Sequence, residues 1–188
     1  MITAEMKTFF QERTLNHIFR AQKYANLLAA GFKELEILAD IIKVHDRSKF
    51  VDPEYTPYVY ITWSKKCQRE GIEFEVPEDI KDQMHEATVY HVLNNKHHPE
   101  YWDGNPTDVI NKDNRDKPTD RIVDGRKMPI IYLAEMIADW SAMSEEFNEP
   151  GPYKWARDFV NVRWEFSEEQ VELIYKFIDY LWKDKVNG

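Results

Sequence analysis

Cysteine is nearly absent: Cys67 is the only one in 188 residues. A single thiol excludes an internal disulfide and fits a reducing compartment. Long apolar runs are missing too, and none approaches the roughly 20 residues that span a bilayer. The stretch from Met1 to Glu12 lacks the basic start and apolar core of a secretory leader. The expected location is therefore cytoplasmic, with no membrane partner. Nor is there an excess of positive charge: 25 Lys and Arg stand against 34 Asp and Glu, a formal net charge of -9. Such a chain lacks the broad electrostatic footprint that grips nucleic acid or an anionic membrane. A small phosphorylated substrate stays compatible, because bound metal ions reverse the local sign of charge. No internal repeat, low-complexity tract or pattern strong enough to propose a sheet is present.

What the chain does have is core material. Hydrophobic residues make up 43% and aromatics 14%, which argues against disorder, and the length fits one domain. The periodicity predicts an all-α fold, a compact bundle of about six to seven helices. Residues 4–30 form a long amphipathic helix with Gly31 as its stop. Phe10, Thr14, His17, Ala21, Tyr24 and Leu28 recur at steps of four and three, on one largely apolar face. A second helix is expected over 33–46, with Leu38, Ile41, Ile42 and His45 on its buried side and Asp46 in the neighbouring row. Pro53 and Pro57 break the chain before a third helix over 58–69. A fourth runs over 78–96 and stops near His98, because Pro99 disfavours continuation. The polar stretch 103–127 reads as a long loop, either a lid or a surface insertion. A fifth helix, 129–147, is apolar almost all round and so central to the core. Its narrow polar stripe holds Glu135, Asp139 and Glu146; Glu135 and Asp139, four apart, need water or a cation between them. A sixth helix spans 153–162, and Ser167 with Gln170 opens the last as a capping box.

Ionisable residues on these buried faces carry the chemistry. Desolvating such a group costs several kcal/mol unless it is paired or bound to metal. His17 sits mid-face on the first helix. His45-Asp46-Arg47-Ser48-Lys49 ends the second, His97-His98 follows the fourth, and Asp139 lies on the fifth. Imidazole and carboxylate together suit divalent Fe, Mn, Zn or Ni. An adjacent His-Asp pair can hold one ion, or the Asp can bridge two. Lys49, just past the pair, is placed to hold a phosphate as a point charge. His91, seven residues before His98, shares its face if the helix persists, whereas His85 points elsewhere. Taken singly each signal is weak: a lone histidine on an apolar face is usually a satisfied core residue, and Lys49 alone could cap a helix end. Their order, on elements that can converge, is what carries weight.

That order resembles the HD-domain metal-dependent phosphohydrolase superfamily, over roughly residues 17–144. The likeness is strongest to its HD-GYP branch. His17-Ile18-Phe19-Arg20 with Tyr24-Ala25 resembles the first motif. His45-Asp46-Arg47-Ser48-Lys49 matches the His-Asp-x-x-Lys form. His97-His98-Pro99-Glu100-Tyr101-Trp102-Asp103-Gly104 is similar to the paired-histidine motif, and Ala134-Glu135-Met136-Ile137-Ala138-Asp139 to the final aspartate helix. The Gly-Tyr-Pro tripeptide is absent, with Asn105-Pro106 in its place, and an extra residue separates His98 from the Asp-Gly step. These departures point away from cyclic dinucleotides. A small family of bacterial and phage proteins with the same pattern is also similar.

The resemblance implies that His17, His45, Asp46 and Asp139 hold one divalent metal. Asp46 would bridge to a second held by His97, His98 and His91. It implies phosphoester hydrolysis on a nucleotide-like small molecule, with Asp46 and Lys49 as catalytic residues. Trp102 and Tyr101 are candidates to stack on a base. Two other readings fit the same pattern: a di-iron oxygenase on this frame, and a non-catalytic helical adaptor in which metal only staples the core. The sequence leaves substrate, metal identity and oligomeric state open.

Overall fold

One helix runs through both hydrophobic clusters of the molecule, and the other helices are arranged around it. In a computed structural model, which describes residues 1–104 and 121–186 (backbone alone for 184–186), this is α1, Ala4–Gly31. Thr3 caps it, its Oγ1 accepting from the Met6 N–H at 3.2 Å. Along α1 the buried positions include Met6, Phe10, Thr14, His17, Ala21, Tyr24 and Leu28, the face expected from the spacing. Met6 and Phe10 enter a smaller cluster with Tyr58, Val59, Tyr60, Ile80 and Ala87. Ala21, Tyr24 and Leu28 enter the main core with Leu133, Ile137, Ile174 and Phe177. Thr14 and His17 belong to neither cluster and sit at the seam between them.

Six further α-helices complete the described residues: α2 (Leu38–Ile41), α3 (Tyr55–Glu70), α4 (Glu78–Asn94), α5 (Ile130–Glu146), α6 (Tyr153–Phe159) and α7 (Glu168–Val186). The fold is all-α. Among the described residues no helix is long and apolar enough to cross a membrane. α5 lies along α1 and against α7, and α3 packs against α1 and α4.

Several expected boundaries shift. The single helix expected over 33–46 is instead a 3₁₀ turn (Lys33–Leu35), the short α2, and another 3₁₀ turn (Ile42–Val44). The chain then leaves helical geometry at His45 (φ -49°, ψ 129°) and turns left-handed at Asp46 (φ 57°, ψ 9°). Aspartate tolerates that region better than most residues. Consecutive residues of an ideal helix point about 100° apart, and the break at this point lets both His45 and Asp46 be buried. Pro57 does not stop α3 but sits in its first turn, where no intrahelical N–H is required. α4 ends at Asn94, short of Lys96, and α6 at Phe159, short of Val162.

A minimal sheet is present where none was expected. Val123–Asp124 (β1) pairs in parallel with Trp164–Glu165 (β2), Val123 opposite Trp164. Two residues per strand are too few to leave an alternating pattern. The loop expected over 103–127 falls mostly on residues outside the described ones. Where it is described, β1 interrupts it, and Asp103 binds both nitrogens of Arg121 at 2.9 and 3.0 Å and the Asp124 N–H at 2.6 Å.

The capping box forms as expected. The Ser167 N–H donates to Gln170 Oε1 at 2.9 Å and the Gln170 N–H to Ser167 Oγ at 3.2 Å. Gln170 also reaches inward, its Nε2 lying 2.9 Å from the Met128 carbonyl and 3.3 Å from that of Gly125. Replacing Ser167 by Ala should cost about 1 kcal/mol and lower Tm by about 2–4 °C. Gln170→Ala, which also strands buried carbonyls, should lower Tm further in the same thermal melt.

Candidate metal centre

The seam crossed by α1 is filled with imidazoles and carboxylates. His17 enters from α1, His45 and Asp46 from the turn after α2, and His91 from α4. His97 and His98 follow α4, and Asp139 comes from α5. The structure brings all seven of these sequence-derived candidates, and Lys49, to one place. His85, half-buried on α4, is not in the clusters that could hold an ion among the described residues.

Asp46 lies at the middle. Its Oδ2 is 3.4 Å from His17 Nε2 and 3.8 Å from His45 Nε2. Asp139 Oδ1 completes that side, 2.9 Å from His17 Nε2 and 3.6 Å from His45 Nε2. The other oxygen, Asp46 Oδ1, is 3.2 Å from His91 Nε2 and 3.8 Å from His97 Nε2. His98 joins that second group, its ligand atom within 4.8 Å of those of His91 and His97. Donor atoms about 2.1 Å from one ion stand about 3.0–3.4 Å apart. The first group spans 2.9–3.8 Å, and the second runs from 3.2 Å to contacts within 4.8 Å, so both are wider than that spacing in places. His45 Nε2 and Asp46 Oδ1 are buried with no hydrogen-bond partner. Buried orphans are rare and ask for a ligand or an ion. The donor set thus fits one or two divalent cations.

Carboxylates behind the rings fix their direction. His45 Nδ1 is 3.0 Å from Glu135 Oε1, and His97 Nδ1 is 3.5 Å from the same oxygen. His91 Nδ1 is 2.7 Å from Glu54 Oε2. A carboxylate holding Nδ1–H leaves Nε2 as the lone-pair donor facing the site, the usual outer support of a metal-bound histidine. His17 lacks such support, its Nδ1 having no hydrogen-bond partner. Glu135 had a sequence signal in its i, i+4 relation to Asp139 on an apolar helix. Glu54 had none, since its partner lies 37 residues away.

Above the cluster is a cavity of about 360 Å³. Arg13, Lys49, Lys65 and Arg69 line it, together with Trp140, Trp155, Trp164 and Glu100. Trp102 and Tyr101, expected as stacking candidates, do not line it; the Trp102 ring packs on Tyr132. A shallower surface hollow of about 550 Å³ beside Tyr153, Lys154, Arg157 and Lys183 contains no histidine. Lys49 Nζ is 2.5 Å from Asp46 Oδ2 and 5.2 Å from the centre of the Tyr58 ring.

Charge in the seam is tightly coupled. Burial opposes protonation of His45, but Asp46, Asp139 and Glu135 outweigh it and raise its pKa to about 10. Burial likewise opposes His17, which Asp139 and Asp46 nevertheless raise. His97 is lowered by burial and by the adjacent His45 charge. Burial would raise the acids, yet Lys49 and His45 hold Asp46 well below the carboxylate range, and His17 and His45 do the same for Asp139. Glu135, against burial, is brought down to about 2 by His45 and His97.

These directions set the pH profile of metal-free protein. The His45 contribution is complete below its ordinary value of 6.5 and is lost as pH rises toward about 10. That of Glu135 is complete above 4.5 and is lost as pH falls toward about 2. Chelator-treated protein should therefore melt highest between about pH 4.5 and 6.5. The alkaline decline should flatten in Glu135→Gln; an unchanged slope would dissociate Glu135 from His45.

No curated protein and no solved structure matches this chain. A family model does, over residues 6–180. That span takes in the seam from His17 to Asp139, so the clustered imidazoles and acids lie wholly inside the matched region. The chain belongs to DUF5662, a family of unknown function.

Proposed function

We propose that this protein is a metal-dependent hydrolase of a phosphoester on a nucleotide-like small molecule. The observation that carries this reading is the division of Asp46, one oxygen toward His17 and His45 and the other toward His91 and His97. A carboxylate so placed is suited to bridge two cations. The residues in question are those on which the resemblance to HD-domain phosphohydrolases rests.

A pair of divalent ions, Fe, Mn, Zn or Ni, would supply Lewis-acid polarisation of a phosphoryl oxygen and lower the pKa of a water. His17, His45, Asp46 and Asp139 would hold one, and Asp46, His91, His97 and His98 the other. Lys49 is paired with Asp46; were cations to take over the neutralisation of that carboxylate, its ammonium would be free to hold the phosphoryl group as a point charge. Arg69 and Lys65 line the cavity of an otherwise acidic chain and favour entry of an anion, while Arg13 is paired with Glu146 at 2.7 Å. Trp140, Trp155 and Trp164 give the organic part an apolar wall and exclude water. The open cavity supports a catalytic role over a metal staple, whose coordination would be closed. Buried Cys67, the only thiol, fits a reducing cytoplasm.

A second reading rests on the nitrogen-rich donor set. Five imidazoles with two carboxylates also suit a pair of iron ions that activate oxygen.

Metal analysis of purified protein and turnover of p-nitrophenyl phosphate test the hydrolase directly. Asp46→Ala should lower kcat/KM by about 10³-fold and reduce bound metal. Metal-free protein, or full activity in that variant, would remove the reading. Bound iron with an oxygen-sensitive visible spectrum and no phosphatase activity would favour the oxygenase.

The support behind His91 gives an independent check. Glu54→Gln should weaken metal affinity about 10–100-fold by competition with a chromophoric chelator, with little change in fold by circular dichroism.

A further inference from the structure

Glu100 is 1% exposed, yet it lines the same cavity as His17, Lys49 and Asp139. Only one of its oxygens is used by the fold. Oε1 accepts from Arg163 Nη2 at 3.1 Å and from Trp164 Nε1 at 3.0 Å. Oε2 is buried and has no hydrogen-bond partner. An unpaired buried acceptor costs the molecule free energy that a donor brought by a ligand would recover. The surroundings are those of a recognition site. Arg163, 4% exposed, balances the charge of Glu100 through that same oxygen. Trp164, held by the same oxygen, is stacked on Trp140 with ring centres 5.7 Å apart and planes inclined by 21°. Both indoles line the cavity. A fixed acceptor therefore stands beside an aromatic wall, in the cavity whose floor is the metal-ligand cluster.

We propose that Glu100 Oε2 is a specificity-determining acceptor for the organic part of the substrate. It takes a hydrogen bond from a hydroxyl or amino group while the phosphoryl group lies at Asp46 and Lys49. This rests on the phosphoester reading above and narrows it: esters without a donor on the organic part are poor ligands. Discrimination follows because a site built to pair a substrate donor rejects the analogue that lacks it, leaving the buried acceptor stranded.

Binding, not turnover, tests this. The metal-loaded full chain is titrated with the non-hydrolysable 5′-methylenephosphonate of adenosine, following tryptophan fluorescence. Two analogues are run beside it: the 2′,3′-dideoxy compound, which loses the sugar hydroxyls, and the purine compound, which loses the exocyclic amine. In the unaltered protein one deletion should raise Kd by about 10–100-fold. Which deletion does so tells whether a sugar hydroxyl or a base amine is the partner. In Glu100→Gln the amide oxygen stays with Arg163 and Trp164 and an N–H₂ replaces the free oxygen, so a base-amine deletion should change Kd less than about two-fold; a sugar hydroxyl can also accept from that N–H₂, and its deletion is read in Glu100→Asp by the same criterion. If Glu100→Gln does not fold, Glu100→Asp keeps the charge for Arg163 and withdraws the free oxygen by one methylene, and the same criterion applies. Equal affinities for the three ligands in the unaltered protein, or no binding of any, overturn the proposal. So does a deletion penalty that persists unchanged in the variant. Turnover of p-nitrophenyl phosphate at millimolar concentration, where a Kd weakened about 10–100-fold by the missing donor still leaves measurable hydrolysis, decides the hydrolase reading separately.

Discussion

A single buried carboxylate organises the centre of this molecule. Asp46 is 1% exposed, and among the described residues its ionic partners are His17, His45, His91, His97 and Lys49. Leaving one buried charge uncompensated costs several kcal/mol, a large share of the 5–15 kcal/mol that holds a typical domain together. The imidazoles and the ammonium are therefore required around it. Their arrangement in two groups, one for each oxygen, comes from the elements that carry them: α4 and the chain after it on one side, α1 and the left-handed turn at His45-Asp46 on the other. That turn releases the pair His45-Asp46 from helical geometry and buries both side chains.

Support for this carboxylate extends outward in layers. Glu135 and Glu54 sit behind the rings, and the apolar faces of α1 and α5 hold His17 and Asp139 in place. An acid within the apolar helix α5 and a histidine within the buried face of α1 look like defects when each helix is considered alone. Packed together they supply opposite halves of one ionic contact, 2.9 Å long. A sequence departs from local consistency where function requires it.

Legibility in the sequence followed the range of the forces involved. The 3.6-residue period placed His17 on the buried face of α1, because helical geometry fixes which positions share a side. Apolar residues almost all round marked α5 as the central helix, and the capping-box spacing of Ser167 and Gln170 marked the start of α7. Backbone conformation at His45 and Asp46 was not legible: no local motif marks a left-handed aspartate, and a continuous helix satisfied the apolar spacing equally well. Glu54 and Glu100 escaped notice for a different reason. Their partners, His91 in one case and Arg163 with Trp164 in the other, lie 37 to 64 residues away, beyond any periodicity. Glu135 was half visible, since a like-charged neighbour four residues away on an apolar helix calls for a counter-charge.

The unbroken run of α1 through both hydrophobic clusters has a mechanical corollary. At 28 residues it is about 42 Å long, and it ties the two halves to a common axle. A swing of one half away from the other would have to bend that rod. The width of the seam is set by helix pitch and side-chain volume. A guest in the proposed site would then meet a gauge of set width, with rotamers along the rim left to adjust.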